Sequence, residues 1–174
     1  MKSKYIHAYM DIAERWAQES SATKLKVGAV IVSGDAMVVG YNGTPEGWDN
    51  ECEYKVWMDP DAGQSHTVNE IEKTWPYVAY SDIPNQDGTF PTIGRYYLKT
   101  KDEVLHAEMN AISKLAKSTL SGDDAVLFCT HNPCINCAKA IYQVGIRNVY
   151  YKNDYRLDEG IHFLKKAGVR TVKI

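Results

Sequence analysis

From Val104 to the C-terminus, helical and strand periodicities alternate without a break, and no other feature of the chain constrains its fold as strongly. Val104 to Lys117 puts Leu105, Met109, Ile112 and Ala116 on one helical face. Ala125 to Thr130 (AVLFCT) reads as a strand. Cys134 to Val144 reads as a helix, with Ala138, Ile141 and Tyr142 apolar and Gly145 as its stop. Asn148 to Tyr151 is a strand, Asp158 to Ala167 a helix closed by Gly168, and Val169 to Ile174 a last strand. Strands joined through helices need crossover connections and therefore run parallel. The class is α/β.

The N-terminal part adds a helix and a hairpin. Ile6, Met10, Ala13 and Ala17 recur at helical spacing, with Tyr9 and Trp16 beside them. Lys26 to Ser33 (KVGAVIVS) and Ala36 to Tyr41 (AMVVGY) flank Gly34-Asp35, the pattern of two strands about a tight turn. The expected architecture is one mixed sheet of about five strands, sandwiched by helices, with the last two strands parallel. The length of 174 residues suits a single domain spanning 1–174. The stretch from about Asn42 to Thr100 breaks the pattern. It holds five of the six prolines and three of the four tryptophans, and shows no long periodicity. We expect an insertion at about 44–100 that packs on the core or builds an interface, with one short helix between His66 and Trp75 ahead of Pro76.

Charge narrows the partners. Lys plus Arg number 20 against 22 Asp plus Glu, a net charge of −2, which argues against general polynucleotide binding. A single phosphate needs only a few local cations, so a small anionic substrate remains compatible. Charges interrupt every apolar run near the N-terminus, and nothing approaches the ~18 apolar residues of a membrane span. The expected location is cytoplasmic and reducing. Four cysteines are too few for a disulfide scaffold, so their spacing decides what they do.

Two short motifs carry chemistry. His106-Ala107-Glu108 opens one helix, and Pro133-Cys134-Ile135-Asn136-Cys137 opens the next, with one strand between. Cys134 and Cys137 stand at i and i+3, so one helical turn brings both sulfurs to one side. A helix N-terminus favours their thiolates. With His106 they would make a His-Cys-Cys zinc site with its fourth position open, as catalytic zinc requires. Glu108, two residues from His106, can face a water there and carry its proton. A lone C-x-x-C would also fit a redox pair, and a structural zinc would want a fourth ligand. The paired H-x-E and P-C-x-x-C motifs are instead the signature of zinc nucleobase deaminases.

The chain resembles the short bacterial and phage deoxycytidylate (dCMP) deaminases. The resemblance rests on Lys26-Val27-Gly28-Ala29-Val30, Gly40-Tyr41-Asn42-Gly43-Thr44-Pro45, His106-Ala107-Glu108-Met109-Asn110-Ala111-Ile112, and Pro133 to Ile141 with Gly145-Ile146. It implies a cytidine deaminase-like fold and hydrolysis of dCMP to dUMP and ammonia, supplying dUMP for thymidylate synthesis. By the resemblance His106, Cys134 and Cys137 hold one zinc, and Glu108 shuttles protons. Asn42 would meet the sugar 3′-hydroxyl, with Ala107 and Tyr155 completing the substrate site. The family is activated by dCTP with magnesium, inhibited by dTTP, and usually hexameric. The effector is expected near Lys24, Lys26, Asn42 and Gly43, since lysines suit phosphates as point charges.

Departures stand beside these matches. Lys114 and Lys117 occupy the turn where family members often carry Arg. Only Cys52 remains of the cysteines that bind a second zinc in some members, so one zinc per chain is expected, with His66 as the sole other partner for Cys52. His131-Asn132 precede Pro133 where Ser is frequent before the proline, a change that could alter substrate contacts. Cys129 reads as a strand residue and a free thiol. The alternative activities are deamination of dCTP, another cytosine nucleotide or nucleoside, or adenosine in tRNA. A zinc-stabilised structural module is the non-enzymatic alternative, and Glu108 argues against it.

Overall fold

The computed structural model describes residues 2–61, 65–155 and 157–174. They divide into two compact units, residues 1–52 with 103–174, and residues 53–102. The elements in chain order are α1 (Ser3–Ala17), β1 (Gly28–Ser33), β2 (Ala36–Tyr41), β3 (Glu53–Trp57), α2 (Val68–Thr74), β4 (Tyr77–Tyr80), β5 (Thr92–Thr100), α3 (Ala107–Ala116), β6 (Val126–His131), α4 (Ile135–Gln143), β7 (Asn148–Asn153), α5 (Glu159–Lys166) and β8 (Arg170–Lys173). Among the described residues no helix is long and apolar enough to cross a membrane.

The larger unit is built on a five-stranded sheet in the order β2-β1-β6-β7-β8. β1 pairs antiparallel with both β2 and β6, while β6, β7 and β8 run parallel. The mixed sheet expected from the alternation is thus present. Side chains of β1 alternate between two cores. Ala29 and Ile31 join α3, α4 and α5 through Ala111, Leu115, Ile141 and Leu164. Val30 and Val32 join Met10 and Ala13 of α1, together with Phe128 and Tyr150. Both faces of the sheet are therefore covered, which explains why β1 and β6 read as nearly continuous apolar runs.

Local chemistry sets the boundaries. The β1–β2 hairpin pairs Ser33 with Ala36 across Gly34-Asp35, and Gly34 takes a positive φ of 58° that glycine adopts without strain. Gly145 ends α4 with φ 100°, its N–H bonded to Tyr142 and that of Ile146 to Ile141. These two bonds satisfy carbonyls that the helix end would otherwise leave open. α3 begins later than its periodicity suggests. Leu105 is taken by a two-way backbone bridge with Gly43, so the helix starts only at Ala107.

The smaller unit corrects the expectation of little regular structure between residues 42 and 100. It carries a three-stranded antiparallel sheet in the order β3-β5-β4. The short helix between His66 and Trp75 is there, as α2. Thr67 and Glu70 close a reciprocal cap at its start. Arg95 of β5 bonds the Trp75 carbonyl and Glu72 at 3.3 Å each. The sequence does not signal these strands because they are half exposed: Gly94 to Leu98 of β5 are all half-buried, so Arg95-Tyr96-Tyr97-Leu98-Lys99 shows no apolar and polar alternation.

Candidate active site

Two helix starts converge on one point of the larger unit. His106 is the residue before the first turn of α3, and Cys134 the residue before the first turn of α4. Residues at this position normally spend their side chains on the helix's open N–H groups. Neither does so here. The His106 Nδ1 instead faces two sulfurs, 3.5 Å from Cys134 Sγ and 3.4 Å from Cys137 Sγ. The three ligand atoms lie within 4.8 Å of one another, and no other group of this kind occurs among the described residues. Tetrahedral zinc at ordinary bond lengths separates neighbouring N and S ligands by about 3.5 Å. The donor set and its spacing therefore fit zinc. Cys134 is held as a thiolate, its pKa lowered to about 3 by the Cys137 thiol and by His106, while Cys134 and burial push Cys137 up. The hydrogen bond to the Cys134 thiolate also raises the His106 pKa.

Glu108, the second residue of α3, is only 4% exposed. Carboxylates are rarely buried so deeply without a task or a partner. Burial pushes its pKa up to about 7, opposed by the backbone at its own position, by His106 and by the Cys137 thiol. A group poised there can both accept and release a proton near neutrality. Cys129 of β6 lies fully buried, and burial and Glu108 hold its thiol neutral. All four cysteines are free, and Cys52 is buried with its sulfur 3.3 Å from the Ser21 hydroxyl.

The segment after β2 is tied to this point. The Gly43–Leu105 bridge puts Asn42-Gly43 beside the residue preceding His106. Asn110 of α3 donates to the Tyr41 carbonyl at 2.9 Å, fastening the helix to the same segment. Asn42 itself is committed inward. Its Oδ1 accepts from Val27 N–H at 2.7 Å and its Nδ2 donates to the Leu25 carbonyl at 2.8 Å. One lone pair and one N–H of the amide remain for a ligand. Ala107 is fully buried at the first turn of α3, where backbone N–H groups have no helical partner. Tyr155 follows β7 and is 37% exposed. Lys24 and Lys26 lie between α1 and β1, and Lys26 donates to the Gln18 carbonyl at 3.2 Å. Lys114 is occupied by the Val39 carbonyl at 2.9 Å and lies over the Tyr41 ring.

Sequence patterns did not reveal how strongly Asn42, Asn110 and Asn132 tie the site together. The partners of all three are backbone atoms distant in sequence, which leave no spacing to read. The one available signal was Asn132 itself, standing where Ser is frequent.

A mixed sheet that delivers a His/Cys/Cys cluster and a buried carboxylate from two helix starts defines the class of zinc-dependent deaminases. Residues 3–153 match the family described as the cytidine and deoxycytidylate deaminase zinc-binding region. The chain belongs to that family. It is 32% identical to the deoxycytidylate deaminase of Enterobacteria phage T4, over 95% of this chain and 87% of that one. The dCMP deaminase of cyanophage S-TIM5, solved in complex with dCMP and dUMP, superposes with a TM-score of 0.72 at 36% identity, covering 100% of this chain and 99% of that one. The deoxycytidylate deaminase of Saccharomyces cerevisiae is 29% identical over 97% of this chain and 44% of its own length.

Proposed function

We propose that the chain hydrolyses dCMP to dUMP and ammonia. The observation that carries this reading is its full-length likeness to the S-TIM5 enzyme bound to dCMP and dUMP. His106, Cys134 and Cys137 hold one zinc per chain. When bound, zinc makes a water nucleophilic at neutral pH and polarises what it touches. Glu108 takes one proton from the water that attacks C4 of the cytosine and places it on N3 as the C4–N3 double bond becomes single. The second proton of that water, given up as the C4 carbonyl forms, passes through Glu108 to the C4 amine, the C–N bond breaks, and ammonia leaves. The buried position of Glu108 favours this two-way role, because burial raises its pKa to about 7, where protonated and ionised forms are both populated near neutrality.

Asn42, Ala107 and Tyr155 bind the substrate. Asn42 offers its remaining lone pair and N–H to the sugar 3′-hydroxyl, with its orientation already set by Leu25 and Val27. The open N–H groups at Ala107 suit an acceptor atom of the base. Tyr155 offers a ring edge or hydroxyl. Lys24, Lys26, Asn42 and Gly43 form the effector site for dCTP with magnesium, or for dTTP. Residues 1–52 and 103–174 are the deaminase domain, residues 53–102 are its insertion, and the enzyme is a homohexamer. A reducing, cytoplasmic setting accords with four free cysteines.

The test is ammonia release from dCMP, dCTP and cytidine, each with and without dCTP or dTTP as effector. Turnover of dCMP well above the other two is expected. A preference for cytidine or dCTP would overturn the substrate assignment, and rates indifferent to both effectors would overturn the regulation.

A further inference from the structure

The residues that lead into the metal ligands also anchor the loop that follows β7. Asn132 stands two residues before Cys134 and is 3% exposed. Its Oδ1 accepts from the Tyr155 N–H. Its Nδ2 donates to the Leu157 carbonyl at 3.1 Å. Its own N–H bonds the Asn153 carbonyl at 2.9 Å, and Asn153 Nδ2 returns to the Thr130 carbonyl at 2.9 Å. A few residues on, Gly160 of α5 lies so close that an added Cβ would meet the Pro133 carbonyl at 2.0 Å and the Cys134 backbone at 2.9 Å. Tyr155 and Leu157 are 37% and 63% exposed, and it is their backbone groups that Asn132 holds.

We propose that Asn132 is a positioning residue that sets the place of Tyr155 relative to Cys134 and thereby governs substrate affinity. The inference rests on the reading of Tyr155 as a substrate contact. A planar amide can serve an N–H and a carbonyl two residues apart at once, whereas a serine hydroxyl at this position is too short to span both. With both bonds made, the loop and the metal ligands move as one body. With them broken, two backbone groups lose their partners and the loop drifts while the ligand set stays intact.

The experiment compares Asn132→Ala, Tyr155→Ala and the double variant. It reads KM and kcat on dCMP, zinc per chain, and hydrogen exchange at the Tyr155 amide. Asn132→Ala should raise KM roughly tenfold, the size of one weakened substrate contact at Tyr155. It should leave kcat within about twofold and zinc unchanged, and speed Tyr155 amide exchange at least about tenfold. The double variant should be no worse than Tyr155→Ala alone. Unchanged exchange in Asn132→Ala, multiplied effects in the double variant, or loss of zinc and kcat at constant KM would each overturn the proposal. If Tyr155→Ala leaves KM as in the wild type, the substrate reading of Tyr155 falls and takes the proposal with it. A raised KM in Tyr155→Ala but not in Asn132→Ala defeats the proposal alone. Should Asn132→Ala not fold, Asn132→Ser replaces it, with an intermediate KM and exchange rate expected and wild-type values of both counting against.

Discussion

The proposed chemistry places both proton transfers on one side chain, Glu108. Its substitution by Gln keeps the volume and the buried hydrogen-bonding capacity but removes the movable proton. Glu108→Gln should retain zinc, measured as metal per chain, and lose at least about 10²-fold in kcat. Turnover equal to the wild type would refute the proton-shuttle role. Asn42 presents the opposite case, a proposed ligand contact that also holds backbone. Asn42→Ala strands the Val27 N–H and the Leu25 carbonyl, and the cost should be about 2 kcal/mol, read as a lowered denaturant midpoint. This difference explains what was legible in the sequence. His106, Glu108, Cys134 and Cys137 declare themselves because metal chemistry demands fixed residue types at fixed spacings. Asn42 was visible as a motif residue, but its attachment to Leu25 and Val27 was not. Hydrogen bonds from an amide to distant carbonyls impose no pattern along the chain.

At the scale of elements, the helices are set against the sheet by glycines. A Cβ on Gly28 would meet the Ala13 carbonyl of α1 at 1.9 Å, and one on Gly40 would meet the Ala107 carbonyl of α3 at 2.3 Å. Because α3 carries Glu108 two residues from His106, Gly40→Ala must displace the helix that bears the proposed proton carrier. It should cost about 1–3 kcal/mol or more in stability and lower kcat as well. A variant with unaltered melting and activity would show that α3 tolerates the shift. The elements of the larger unit could be read in sequence wherever burial left a mark, as a helical period in α1 and α4 and as nearly continuous apolar runs in β1 and β6. Their ends could not, since the start of α3 is decided by a bridge between Gly43 and Leu105, residues far apart in the chain. The three strands of the smaller unit were missed because Tyr54, Trp57, Tyr77 and Tyr80 stay exposed, so burial there imposes no alternation.

At the scale of the whole molecule, the two-unit division makes a prediction of its own. Glu53 pairs with Thr100 across β3 and β5, so the smaller unit begins and ends at neighbouring points. Replacing residues 53–102 by a short Gly-Ser linker should leave a chain that folds and binds one zinc, measured by thermal melting and metal content. If the proposed insertion builds the assembly, the shortened chain should sediment as a smaller species than the full one. Loss of zinc on excision would show that the core depends on the excised residues.

The same strand pairing bears on how the site comes together in time. β2 and α3 must meet before Asn42-Gly43 can lie beside His106, yet residues 42–106 separate them along the chain. Once β3 and β5 zip, the effective tether between those elements shrinks to residues 42–52 and 101–106. By the logarithmic dependence of closure entropy on loop length, this roughly fourfold shortening favours their encounter by about 1 kcal/mol. A segment outside the His/Cys/Cys cluster thus acts as a drawstring for the chain on either side of it.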